Sequence, residues 1–149
     1  MALEIEPVDG YRWVLTALVA NIFLMQWMGL QVGKARRKYR VSYPIMYADE
    51  SENKDAKTFN CVQRGHQNCL EFMAQFLALL LLGGLQYPRV AAFLGAAYTV
   101  CRLQYFRGYS TGNAVARYSA GGGFHWFAFF GLLLCTIAFV LHQFFPSVV

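Results

Sequence analysis

The stretch FNCVQRGHQNCLEF, from Phe59 to Phe72, opens an apolar run that continues to Leu85. It sets Arg64, His66, Asn68 and Glu71 at the mouth of a segment long enough to cross a bilayer. At 3.6 residues per turn, positions 64, 68 and 71 fall within about 60° of one another. One helical stripe therefore presents a guanidinium, an amide and a carboxylate, and Gln75 extends it by a turn. Ionisable groups inside a membrane-length helix are costly and face a bundle interior or an aqueous cavity. The stripe reads as a binding site, and the rest of the chain as the helices that enclose it.

Composition supports a membrane setting. The chain has 149 residues, 57% hydrophobic and 14% charged, whereas soluble domains carry about 25% charged residues. That length predicts a single domain over residues 1–149. Much of the net charge of +5 comes from the cluster Lys34 to Arg40. Basic charge next to an apolar span marks a cytoplasmic flank and not a nucleic-acid site. Cys61, Cys69, Cys101 and Cys135 form no CxxC pair, so they predict neither a disulfide framework nor a metal site, and read as small buried hydrophobes. Met1 to Asp9 is acidic, where a signal peptide begins with positive charge, so the first hydrophobic segment is expected to stay as a span.

Four spans are predicted, at about 11–40, 59–86, 89–109 and 120–145, which makes an all-α, antiparallel four-transmembrane-helix bundle. From Trp13 to Gly33 no residue is charged, and that length covers about 30 Å of hydrocarbon. Ser42-Tyr43-Pro44 is expected to stop the first helix, because proline lacks a donor and disfavours helix before it. Residues 41–58 read as a polar, flexible, solvated loop, and residues 110–117 as a second, shorter one. Tyr87-Pro88-Arg89 fits only a tight turn between antiparallel helices. Gly121 to Gly123 permit close helix contact or a flexible start to the fourth span. Of 13 Lys and Arg, only Arg12 and Arg89 fall on the side of the termini. The positive-inside rule then places both loops in the cytoplasm.

In such a bundle the polar residues of different spans meet at one depth. Arg36 and Arg37 end the first span, Arg64, Asn68 and Glu71 begin the second, and Arg102, Tyr105 and Tyr109 share one face of the third at i, i+3, i+7. Arg117 stands where the fourth begins. These residues predict a cationic pocket with one buried carboxylate and two phenols. A structural ion-pair network is the alternative for Arg64, Glu71 and Arg102, and an interfacial aromatic belt for Tyr105 and Tyr109. A network alone needs balanced charge, however, and several guanidiniums surround one carboxylate. The surplus calls for an anionic ligand or lipid head group. His66 reads as a capping or ligand-contact residue; His125 and His142 read as ordinary residues of the fourth span.

RGHQNCLE, with QVGKARRKYRVSYPIMY before it and RLQYFRGYSTG after it, resembles the MAPEG superfamily. These are the membrane-associated proteins of eicosanoid and glutathione metabolism, and the type 3 microsomal glutathione transferase branch is the most similar in pattern. The resemblance implies a homotrimer of four-helix protomers, integral to the endoplasmic reticulum or the outer mitochondrial membrane. It implies that glutathione, as co-substrate, binds between subunits at the cytosolic side. A lipophilic electrophile or lipid hydroperoxide would arrive from the membrane lipids, so both transferase and peroxidase chemistry are implied. Carried over by position, Arg36, Arg64, His66, Asn68, Glu71, Tyr105, Tyr109 and Arg117 are the implied glutathione-binding residues. Arg117, reached with a one-residue gap against the leukotriene C synthase pattern, is the implied thiolate stabiliser, with Arg37 as the alternative and Tyr105 positioning the tripeptide. Phe72 stands where that pattern has tyrosine, and Ala74 replaces a common proline. No metal is implied. A non-catalytic, lipid-binding scaffold like the lipoxygenase-activating branch is the competing reading; a small transporter is a remote third, since no broken helices or inverted repeat support it.

Overall fold

A computed structural model describes residues 8–146; the acidic start of the chain, up to residue 7, lies outside the described residues. These residues form four α-helices: α1 (Tyr11–Tyr39), α2 (Ala56–Gln86), α3 (Pro88–Tyr109) and α4 (His125–Phe144). A 3-10 segment, Ala114–Phe124, joins α3 to α4 and is called the strap below. No strand occurs among the described residues. Three segments are long and apolar enough to cross a membrane: α1, α2, and the strap together with α4. α3, at 22 residues, is long enough at about 33 Å, but Arg89, Arg102 and Arg107 dilute its apolar character.

Local chemistry sets the joints. α1 stops at Tyr39, ahead of Ser42-Tyr43-Pro44, because Arg40 turns left-handed (φ 56°) and Val41 N–H closes onto the Arg36 carbonyl at 3.0 Å. Between α2 and α3 only Tyr87 intervenes, and Pro88 occupies the first helical position, where a missing N–H costs nothing. The loop before α2 is pinned and not flexible as its composition suggested. Asn60 exchanges two bonds with the Ala48 backbone (2.8 and 2.9 Å), Asn53 donates to the Tyr39 carbonyl (2.9 Å), and Tyr47 donates to Gln67 (2.5 Å).

α2 and α3 pack on each other and on both α1 and α4. One core joins Val14 and Ala17 to Phe76, Leu80, Tyr98, Ala128 and Leu132, with Phe76 and Tyr98 stacked at 4.2 Å. A second, nearer the loops, gathers Met25, Met28, Val32, Phe59, Val62, Cys69 and Phe106. Where lipid is as apolar as the side chains, this packing and not water exclusion holds helices together.

The fourth helix begins at His125 and not near 120. Ser119 (ψ 167°), Ala120 (φ 51°) and Gly121 (φ 87°) break the helical path. The strap instead lies directly on α3. A Cβ on Gly108 would stand 2.1 Å from the Ala116 carbonyl oxygen, and one on Gly122 would stand 2.1 Å from that of Arg117. Glycine at 108 lets the strap meet α3, and glycine at 122, 3.0 Å from Cα and N of Tyr105, lets the strap fold back on its own Arg117 carbonyl; these contacts set where Arg117 goes.

Candidate functional site

A cavity of about 240 Å³ opens where the strap crosses the helices. α2 contributes Arg64, Asn68 and Phe72; α3 contributes Tyr105 and Tyr109; the strap contributes Arg117 and Tyr118; α4 contributes His125 and Trp126. The stripe spacing on α2 and the i, i+4 spacing on α3 turn these groups toward one space, as a helix of 3.6 residues per turn requires.

Arg64 and Glu71 form an ion pair at 2.5 Å, and Asn68 donates to the other Glu71 oxygen at 3.4 Å. The pair is open to the outside of the chain, its side chains 39% and 43% exposed. The carboxylate expected to be buried is therefore not enclosed by this chain alone: α2 turns that edge of the stripe outward.

Arg102 is the buried ion. Only 2% exposed, it donates to Asn68 Oδ1 (2.9 Å) and the Tyr98 hydroxyl (3.0 Å), and lies against the rings of Phe72, Tyr98 and Tyr105 at 5.1–5.3 Å. Its Nη2 has no partner. Because Asn68 Oδ1 accepts from Arg102, its amide nitrogen is the end that faces Glu71. The ion-pair network considered for Arg64, Glu71 and Arg102 thus does not extend to Arg102, which rests on neutral acceptors and aromatic faces.

On the strap, the Arg117 guanidinium donates to the Ala114 carbonyl (2.5 Å) and sits over the Tyr118 ring at 4.4 Å and the Tyr109 ring at 5.2 Å. Asn113 caps the strap by accepting from Val115 N–H at 3.1 Å. Tyr105 is buried and meets Tyr109 edge-on at 5.7 Å.

The structure thus brings Arg64, Asn68, Tyr105, Tyr109 and Arg117 to one cavity, with Glu71 at its outer edge. It does not bring Arg36, Arg37 or His66 there. Arg36 is buried among its own loop, donating to the Ile45 carbonyl (2.6 Å) and Gln63 (3.4 Å) between the Tyr43 and Phe59 rings. Arg37 is exposed on α1. His66 lies about 200° around α2 from Arg64, with its ring next to Gly29 of α1.

His125 is a correction in the other direction. Taken from the sequence as an ordinary span residue, it lines the cavity, 2% exposed, with Nδ1–H given to the Gly122 carbonyl at 2.6 Å and its ring edge-on to Tyr105 at 5.3 Å. Tyr118 and Trp126 were missed as well. The signal available was their nearness to Gly121–Gly123, the point at which the chain turns back beside Tyr105. Among the described residues no cluster of His, Cys, Asp and Glu is placed to hold a metal.

Comparison with known proteins places the chain. Leukotriene C4 synthase from Bos taurus is 36% identical over 103 residues, covering 68% of this chain and 64% of that protein. Microsomal glutathione S-transferase 2 from Bos taurus is 36% identical over 103 residues (68% of this chain, 66% of that protein). The Homo sapiens protein of the same name is 37% identical over 100 residues (65% and 63%). The chain thus spans just under two thirds of the length of the curated relatives it matches. The family model described as MAPEG family matches residues 14–138, and the chain, an all-helical protein with membrane-length apolar segments, belongs to that family.

Proposed function

We propose that this chain is a membrane-bound glutathione transferase that holds glutathione as its thiolate in the cavity between α2, α3 and the strap. The observation that carries the reading is the charge around that cavity: Arg64, Arg102 and Arg117 against the single carboxylate of Glu71. Glutathione brings two carboxylates, one ammonium and a thiol. Guanidiniums suit the carboxylates through paired, charge-assisted bonds, Glu71 suits the ammonium, and the Asn68 amide suits a peptide group. The names of the relatives, a leukotriene C4 synthase and two glutathione S-transferases, support the same chemistry.

A free thiol has a pKa of about 8.5 and is a few per cent ionised near neutral pH. Lowering it by about two units takes about 2.7 kcal/mol of preference for the thiolate. Arg117 supplies this, with Tyr105 and Tyr109 positioning the tripeptide; Arg37, outside the cavity, is the less favoured alternative. The thiol proton leaves to water, and the sulfur attacks an electrophilic carbon of a membrane-soluble substrate, forming the thioether. As it does so, an epoxide C–O bond opens or a conjugated C=C bond gives up its electron pair, and the resulting anion takes a proton from water. With a lipid hydroperoxide, the thiolate takes the terminal oxygen, the O–O bond breaks and the alkoxide gains a proton; a second glutathione then converts the sulfenic acid to the disulfide and water.

The ion pair exposed on α2 supports an assembly. Arg64 and Glu71 lie within a membrane-length helix, and lipid is a poor environment for them. A homotrimer in which a neighbouring copy covers this face, and brings its Arg36 and His66 toward the site, removes the conflict. In this reading α3 is a fourth span, residues 1–149 are one domain, the loop end faces the cytosol, and the membrane is that of the endoplasmic reticulum.

Titration of purified protein with glutathione, followed by thiolate absorbance, tests the proposal. Wild type is expected to give a saturable thiolate signal at neutral pH, and Arg117→Ala to bind glutathione while losing most of it. No binding to wild type refutes the function; full ionisation in the variant refutes the role of Arg117.

A further inference from the structure

A second groove, of about 340 Å³, runs between α1 and α3 at the loop end of the bundle. It is separate from the cavity above, since Arg107 on its rim lies about 200° around α3 from Tyr105. The floor is apolar: Val62 and Phe106 are buried, and the Trp27 ring meets Phe106 edge-on at 5.7 Å. The rim is basic, carrying the exposed side chains of Lys34, Lys38 and Arg107, and no carboxylate lines the groove. Among the described residues, none of the three forms an ion pair. Lys38 is the ridge between this groove and the neighbouring loop cavity, where Asp49, Glu52 and Asp55 offset the local cations. Lys34 and Arg107 have no such offset.

The apolar floor continues into an exposed apolar face of α1. Phe23, Trp27, Leu30 and Lys34 follow i, i+4, i+7, i+11, one stripe of α1, and Phe23 and Leu30 are 71% and 66% exposed. An exposed apolar track that ends in two or three unpaired cations, at the boundary of a membrane span, is complementary to a lipid tail below a negatively charged head. The hydroxyls of Ser110 and Thr111, also in the lining, already donate to the Phe106 and Gly108 carbonyls at 2.7 and 2.8 Å. Lys34, Lys38 and Arg107 are the charged donors available to a phosphate.

We infer that this groove binds one anionic phospholipid of the surrounding leaflet, its phosphodiester between Lys34 and Arg107 and an acyl chain along Trp27, Leu30 and Phe23. A choline or ethanolamine ammonium finds no carboxylate in the lining, so the zwitterionic lipids bind less well. The inference is independent of the proposed activity, because none of these residues touches the cavity that contains Arg117.

Native mass spectrometry of protein taken from phosphatidylcholine nanodiscs containing a minor fraction of phosphatidylserine tests it. Wild type is expected to retain phosphatidylserine in preference to phosphatidylcholine. Each cation near an anionic head group is worth about fivefold in affinity, so Lys34→Gln with Arg107→Gln should lower retention about 25-fold. The charge-preserving pair Lys34→Arg with Arg107→Lys should restore it, which separates loss of charge from misfolding. Arg40→Gln with Lys54→Gln removes the same charge from exposed positions outside the groove and should leave retention at the wild-type level. Equal loss from both neutralised pairs would show diffuse surface attraction and overturn the site. So would equal retention of phosphatidylcholine, or displacement of the lipid by inorganic phosphate alone.

Discussion

Gly122→Ala asks whether the seat of the strap on α3 controls the chemistry. The new Cβ would stand 2.1 Å from the Arg117 carbonyl oxygen and 3.0 Å from both Cα and N of Tyr105. All three are backbone atoms, so no side-chain rotation relieves the clash. Bringing the shortest contact to 3.0 Å needs about 0.9 Å of backbone movement. The shortest contact lies within the strap, whose path is broken between Arg117 and Gly122 at Ser119, Ala120 and Gly121, whereas α3 is held by its own hydrogen-bond ladder; the Arg117 side of the strap is the part that moves. Arg117 moves with it, away from the Tyr109 ring that it now faces at 5.2 Å. Overpacking of this kind costs about 1–3 kcal/mol, and a catalytic group misplaced by about 1 Å loses up to about 100-fold in rate.

The expected result is a kcat for glutathione conjugation to a chromogenic electrophile that falls by about 30- to 100-fold, with a smaller loss of glutathione affinity and a lower Tm. Gly123→Ala is the matched control, since its Cβ would meet only the Tyr118 ring, at an ordinary 3.6 Å. If Gly122→Ala gives the same kcat and thiolate yield as Gly123→Ala, the position of the strap does not set the position of the reacting sulfur, and the assignment of Arg117 falls with it.

Other perturbations separate binding from stability. Glu71→Gln should weaken glutathione binding by about tenfold or more by calorimetry, while leaving the unfolding midpoint nearly unchanged, because the Arg64–Glu71 pair is open to solvent or a neighbour. A large stability loss with binding intact would reverse that ranking. Phe76→Ala, in contrast, deletes a fully buried ring stacked on Tyr98 at 4.2 Å and should cost about 3–5 kcal/mol in unfolding measurements; a cost below about 1 kcal/mol would refute the packing described. Ser51 donates to the exposed Asp49 carboxylate from its N–H and its hydroxyl, both at 2.7 Å, and holds it below the ordinary carboxylate range. A carboxyl lowered on folding supports the folded loop fully above its unfolded value and loses that support as pH falls through the lowered one. Ser51→Ala should therefore raise the Asp49 titration midpoint, read by carbon NMR, and an unmoved midpoint would refute the bond.

The helices and the polar stripe were legible because they depend on local periodicity. Arg64, Asn68 and Glu71 share a face of α2 through spacing alone, as do Arg102, Tyr105 and Tyr109 on α3. The strap was not legible in this way. Its path depends on two glycines, Gly108 of α3 fitted to the Ala116 carbonyl of the strap and Gly122 fitted to the Arg117 carbonyl within the strap. Without that fit, Arg117 read as the first turn of a span and His125 as a residue deeper in it. The surroundings of Arg36 were not legible for a related reason: its burial depends on Tyr43 and Ile45 folding back over α1, which composition alone presents as a flexible loop. The exposure of Glu71 depends on how α2 packs against the other helices, which spacing within α2 does not report.

The surplus of guanidiniums expected from the sequence survives folding, though not in the form first drawn. Arg64 takes the one carboxylate, Glu71. Arg36, Arg102 and Arg117 are held by carbonyls, amides, a phenol and the faces of seven rings. Such partners satisfy the N–H groups and favour a cation, but they carry no net charge. The positive potential they leave is therefore not cancelled within the chain, and it acts in a region where helices and rings exclude much of the water that would screen it. A neutral ion-pair network would gain nothing when a thiol in the cavity ionised. In the proposed function this arrangement does gain, and the guanidinium on the broken strap, Arg117, is the one whose position a single methyl group on Gly122 can change.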